Sequence, residues 1–152
     1  MPSDYDIIVR DKDNSEVRLI CETKMQRAEV QKAELHLKNA MSRLSCPLGL
    51  LFTPEILRIY LDRYTSDVPS DSVELLGEFN ASPLLSFAYP PKAERQLEMQ
   101  QFEDAVQRWL ESLPETFSSD AVSDTRLAGI LTTFIVPAVA SGQVSAAAPR
   151  YF

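Results

Sequence analysis

The stretch LICETKM, residues 19–25, decides how this chain is read. Leu19, Ile20 and Cys21 run up to Glu22, and Lys24 follows one residue later. Side chains alternate across a β-strand. As a strand, the stretch puts Glu22 and Lys24 on the face of Ile20, with Cys21, Thr23 and Met25 on the other. An acid and a base then share a face with a core residue, and burial alone gives no reason for them to be there.

Working upstream, YDIIVR (5–10) is β-branched and loosely alternating and reads as a strand. DKDNSE (11–16) is polar, with Asp13 and Asn14 at turn positions, and reads as a hairpin loop. VRLICETKM (17–25) is the second strand. Pairing the two antiparallel brings Asp6 toward Glu22, and Asp4 shares the face of Asp6. Two carboxylates and one ammonium meet at one spot on a sheet. Clustered carboxylates are costly unless a cation or a proton lies between them. A hard divalent cation with oxygen ligands meets that condition. A lysine alongside can stabilise developing negative charge or orient a nucleophilic water.

Downstream, residues 26–44 read as a helix with an apolar set of Ala28, Val30, Ala33, Leu35, Leu37, Ala40, Met41 and Leu44. LGLLFT (48–53) and EILRIYL (55–61) read as strands on either side of Pro54, followed by a loop over 62–72. Residues 73–88 fit no single element, and Pro83 limits any helix there. Residues 92–113 form a second amphipathic helix, with Leu97, Phe102, Val106, Trp109, Leu110 and Leu113 in its stripe. Residues 124–141 give another helix, interrupted near Pro137. The tail, 142–152, is small and polar and is expected to be mobile. This order predicts an α/β sandwich, a mixed β-sheet covered by helices. The expected organisation is one domain over 1–152, with a core at 3–62 and C-terminal helices at 92–141.

Composition narrows the function. The chain has 152 residues, 45% hydrophobic and 24% charged, as expected for one globular domain. No apolar run reaches transmembrane length, and MPSDYD shows no signal-peptide pattern, so a cytoplasmic protein without membrane association is expected. Cys21 and Cys46 have no metal spacing and read as reduced, buried thiols. His36 is the only histidine, so a serine-type triad must use it, and zinc sites built from several Cys or His are disfavoured. The net charge of −7 means that any nucleic-acid role must come from a local basic patch, a metal site or a partner.

An Asp, a gap, then Glu-x-Lys on the second strand of a hairpin, followed by a helix, resembles the PD-(D/E)xK superfamily with its restriction-endonuclease-like fold. Here the pattern is Asp6, fifteen intervening residues, Glu22-Thr23-Lys24, and a helix carrying Gln31. PLGLLFTPEILRIY (47–60) is similar to the strand-turn-strand that follows in the N-terminal nuclease domains of type I restriction enzyme R subunits and their relatives. The resemblance covers about residues 4–62. It implies hydrolysis of phosphodiester bonds in DNA with magnesium, or manganese as substitute. It implies Asp6 and Glu22 as metal ligands, joined by the carbonyl of Thr23, Lys24 assisting the attacking water, and Gln31 near the site. The chain also departs from the family. Only five residues precede Asp6, where a helix and a strand are usual, so either the chain is a fragment or its C-terminal helices cover that sheet face. Pro2 stands two residues before Asp4 in place of a Pro-Asp pair, and the acidic charge is unusual for a DNA-cutting enzyme.

Each residue also has an ordinary reading. Asp6 fits a solvated strand start, Glu22 and Lys24 a surface ion pair, Gln31 an exposed helix position and His36 a structural or surface residue. Phe102 and Trp109 read as core rather than as base-stacking platforms. Lys24, Arg27, Lys32, Lys38 and Arg43 either track phosphates or pair with the interleaved Glu29 and Glu34. Two functions follow: a magnesium-dependent DNA nuclease, or a catalytically inactive nuclease-fold module for protein assembly or regulation. DNA is the partner in the first, a protein partner or a homodimer in the second.

Overall fold

The computed structural model describes residues 5–85 and 95–148. Asp4, residues 86–88 and 92–94 and the tail from 149 lie outside the described residues, as does the side chain of Leu97.

Strands β1 (Ile7–Asp11) and β2 (Val17–Thr23) form the expected antiparallel hairpin, with Ile7 opposite Cys21 and Ile8 opposite Ile20. Asp11 shapes the turn: its Oδ1 accepts the N–H groups of Asp13 and Asn14 at 2.9 and 3.3 Å. A 3-10 turn at Arg27–Glu29 leads into helix α1 (Val30–Leu44). Val30, Ala33, Leu37, Ala40 and Met41 are its buried face. Leu35, read above as part of that stripe, is 55% exposed, and Ala28 is exposed as well. Both fall outside the arc of i, i+3, i+4 and i+7 positions that touches the sheet. The helix stops at Ser45, which turns left-handed (φ 52°) while the Cys46 N–H donates to the Met41 carbonyl at 2.8 Å.

The α1 crossover makes β2 and β3 (Leu48–Phe52) parallel. Strand β4 (Ile56–Asp62) pairs antiparallel with β3, and β5 (Val73–Asn80) antiparallel with β4. Within the undecided 73–88 region, then, Val73–Asn80 is strand. One helical turn, α2 (Pro69–Ser72), precedes it. Buried Asp62 secures the connection by accepting the Ser72 hydroxyl and, at 2.8 Å, the Tyr64 N–H.

The tail is a correction to the sequence reading. Gly142–Ala146 is strand β6, antiparallel to β1, with Ile7 opposite Ala146 and Asp11 opposite Gly142. Strand pairing along β1 orders a segment whose small side chains carry little strand signal of their own. A Cβ on Gly142 would lie 2.5 Å from Val9 Cγ1 and 2.8 Å from the Ala138 carbonyl, so glycine is what lets the chain enter this strand. The finished sheet runs β5-β4-β3-β2-β1-β6.

Helices cover both faces of this mixed sheet. Ile8, Ile20, Leu51, Ile56 and Tyr60 meet α1 on one face. Ile7, Val9, Leu19, Cys21, Leu50, Phe52, Leu57 and Ile59 meet the C-terminal helices on the other. There α3 (Arg95–Thr116) buries Phe102, Val106, Leu110 and Leu113, and Trp109 sets its ring edge-on to Phe52 at 5.5 Å. Burying side chains of this size contributes about 1.5–3 kcal/mol each. The C-terminal helices thus cover the face opposite α1, where the apolar stripe of α3 is buried. They continue as α4 (Thr125–Ile130), a wide π turn (Leu131–Ile135) and α5 (Val136–Ala140). The interruption expected near Pro137 is this π turn. Proline has no N–H and its ring crowds the carbonyl four residues back, and the wider turn lies directly before it.

Gly49 fixes the height of α1. A Cβ there would lie 2.5 Å from Met41 Sδ and 3.3 Å from Leu37, so the helix rests on the bare backbone of β3.

Candidate active site

One step beyond the Ile7–Cys21 pair, the hairpin register sets Asp6 opposite Glu22, and the Asp6 N–H donates to the Cys21 carbonyl at 2.8 Å. Ile8 and Ile20 belong to the α1-side core. By alternation Glu22 and Lys24 take that same face; Asp6 precedes β1, and its carboxylate reaches the Thr23 hydroxyl instead. Glu22 is only 4% exposed, and Lys24 Nζ lies 3.4 Å from its Oε1. The Lys24 N–H donates to the Phe52 carbonyl at 2.8 Å, which holds the backbone of Lys24 against β3 beyond the end of β2.

Asp6 is fixed from both sides. Its Oδ2 accepts the Thr23 N–H at 2.8 Å and the Thr23 hydroxyl at 3.0 Å. The Asp6 carbonyl accepts the Ala147 N–H at 2.9 Å, just past β6. The Thr23 contacts seen here are therefore those of a donor that orients Asp6. Burial pushes the Cys21 thiol well up, and the charges of Asp6, Glu22 and Glu103 add to that shift. Burial likewise pushes Cys46 up to about 12. Both cysteines are free and buried, and neither has the electropositive setting of a reactive thiol.

Beside Lys24 opens a cavity of about 390 Å³, lined by Lys24, Ala28, Glu29, Lys32, Ala33 and His36. Ala28 and Ala33 leave the room, while Lys32 and His36, one helical turn apart, supply the cationic or donor groups. His36, read from the sequence as a structural or surface residue, is half-buried in this wall. Gln31 is not brought to the site. It is exposed and does not line the cavity, and its i, i+3, i+7 relation to Glu34 and Lys38 puts it on the other flank of α1.

That other flank carries a network that the sequence did not reveal. Glu34 Oε2 accepts from Arg58 Nη1 at 2.7 Å and from the Tyr60 hydroxyl at 2.8 Å, and Lys38 Nζ lies 3.2 Å from Oε1. Arg58 Nε reaches Glu78 at 2.8 Å, and Arg27 lies 3.5 Å from the same carboxylate. Partial burial raises the Glu34 carboxyl, but the Tyr60, Lys38 and Arg58 contacts outweigh it and hold it below its ordinary value. Four elements contribute, so no short spacing could have signalled the network. The one local signal was the i, i+4 spacing of Glu34 and Lys38.

Among the described residues, no three His, Cys, Asp or Glu side chains group as a metal site. Magnesium asks for less: one or two carboxylates commonly hold it, with water and substrate phosphates completing the shell. Asp6 and Glu22, hard oxygen donors at opposed positions of the hairpin, fit that requirement. No family model matches the chain, and neither does any curated protein or solved structure. Among the described residues, no helix is long and apolar enough to cross a membrane.

Proposed function

We propose that this chain is a single-domain, magnesium-dependent phosphodiesterase of the PD-(D/E)xK kind, hydrolysing DNA. The observation that carries this reading is the buried Glu22 carboxylate with Lys24 3.4 Å away at the wall of a cavity, and Asp6 opposite Glu22 in the hairpin. Asp6 and Glu22 hold the ion. When bound, magnesium, or manganese in its place, neutralises charge building on the phosphate. Thr23 keeps the Asp6 carboxylate aimed by two hydrogen bonds, so little reorganisation is needed when substrate arrives. Lys24, anchored through its own N–H to Phe52, presents its ammonium to the attacking water and to the phosphate oxygens. The buried free thiols Cys21 and Cys46 accord with a cytoplasmic location.

Supercoiled-plasmid nicking across a magnesium series, with calorimetry of magnesium binding, tests this. Glu22→Ala removes a hard ligand and should lose both metal binding and nicking. Lys24→Ala removes a competing cation and should bind magnesium as well or better while turnover falls. If wild type binds no magnesium at millimolar concentration, catalysis is abandoned. One observation favours the second reading, an inactive nuclease-fold module docking a protein partner or a second copy. Thr23 donates two hydrogen bonds to Asp6 and Lys24 lies 3.4 Å from Glu22, so each carboxylate already has a partner within the protein.

A further inference from the structure

The charges on the α1 side of the sheet are unevenly spent. Arg58 is held by Glu34 and Glu78, Arg27 by Glu78 and Lys38 by Glu34. Among the described residues, Lys32 and His36 form no ion pair, and both line the cavity beside Lys24. The cavity is large enough for more than one water-sized group, at about 390 Å³, and among the described residues its only carboxylate is Glu29. A concave wall with two ammonium groups and a ring N–H donor, floored by two alanines, suits an anionic chain laid across it.

We infer that this cavity is a phosphate-binding subsite for single-stranded DNA, in which Lys32 and His36 position the phosphate next to the one at Lys24. The inference rests on the phosphodiesterase reading only in placing the scissile phosphate beside Lys24. The single strand follows from the supply of cations. A duplex-binding protein typically engages about six to ten phosphates. Here two lysines are at hand, and the chain as a whole carries a net charge of −7, which opposes a long polyanion. A flexible strand can bend into the cavity and meet both lysines while the rest of it stays clear of the acidic surface. Lys32 and His36 are positioning residues: they hold the strand, and the chemistry stays with Asp6, Glu22 and Lys24.

The test is the salt dependence of binding. Anisotropy of a fluorescent single-stranded DNA of about 12 nucleotides, without divalent ions, reads it directly. Two phosphate contacts give a log–log slope of about −1.4, or about sevenfold weaker binding between about 50 and 200 mM salt. Lys32→Ala should bring the slope to about −0.7, and Lys32→Arg should restore it. His36→Ala should weaken binding at every salt concentration. Lys12→Ala, at a separate cavity between α3 and β6, should change nothing. Both Lys12 and Lys32 are exposed, so their variants should fold. Tighter binding of the matching duplex, or equal effects of Lys12→Ala and Lys32→Ala, overturns the inference. Magnesium-dependent cleavage measured alongside separates the two claims. Cleavage with a slope indifferent to Lys32 removes the subsite and leaves the phosphodiesterase. Lys32-dependent binding without any cleavage removes the phosphodiesterase and keeps the subsite.

Discussion

Helix α1 has two flanks with the same kinds of residue and opposite outcomes. On the flank facing β4 and β5, Glu34, Lys38, Arg58, Tyr60, Glu78 and Arg27 close on one another through contacts of 2.7 to 3.5 Å. On the flank facing β1, Lys32, His36 and Glu29 border an open cavity. Residue type does not decide between these outcomes. The sheet beneath does: β4 and β5 raise Arg58, Tyr60 and Glu78 to meet the helix, whereas β1 and β2 end there and bring only Asp6, Glu22 and Lys24. The closed flank holds the helix and leaves the open flank its fixed shape, a division between rigid support and exposed chemistry.

Variants on the two flanks should therefore differ in whether cleavage survives. The largest effect is expected on the open side. Lys24→Ala should lower cleavage by the folded protein at least about 100-fold, and, because it takes the cation from the buried Glu22 carboxylate, should also cost about 1–3 kcal/mol in urea unfolding. Arg58→Ala should lose stability without losing cleavage. It leaves Glu34 and Glu78 without their guanidinium and should destabilise by about 1.5–3 kcal/mol in urea unfolding, with cleavage by the folded protein retained. An Arg58→Ala protein of unchanged stability that has lost cleavage would break the comparison. Gly49→Ala pushes on Met41 and Leu37 beneath both flanks and should cost about 1–3 kcal/mol, measured the same way.

The smallest effect is a pH dependence. Glu34 is held below its ordinary value of 4.5 in the folded protein, so its contribution is present above that value and fades as pH falls through the lower folded one. The stability gap between wild type and Glu34→Gln should thus be larger at pH 7 than at about pH 3. A gap that widens on acidification would show that the carboxylate is not the stabilising form.

The hairpin and α1 were legible because their patterns are local. Ile7 to Val9 and Leu19 to Cys21 supply both cores by simple alternation, and Glu22 and Lys24 stand out against it. β5 was not legible because a register shift between Ile59 and Tyr60 pairs Gly77 with Ile59 but Leu75 with Tyr60, which breaks the period of two within VELLGEFN. β6 was missed because its order comes from β1, not from its own small residues. At the site, strand parity set the face of Glu22 and Lys24. Gln31 went astray because each helical residue turns about 100°, so its flank depends on where α1 rests on the sheet. The same dependence hid the cavity wall of Lys32 and His36.

The pairing of β6 with β1 also sets an order of events. Asp6 has its carbonyl held by the N–H of Ala147, and its strand borders an edge that stays bare until residues 142–146 arrive. Closing so long a loop is a slow, late step in folding compared with forming the hairpin. A chain growing from its N-terminus therefore makes Asp6 well before the strand that fixes it. Asp6 and Glu22 come opposite each other early, but the backbone that carries Asp6 is held on its outer side only when β6 is in place. Partly made chains thus carry every one of the proposed site residues without the site.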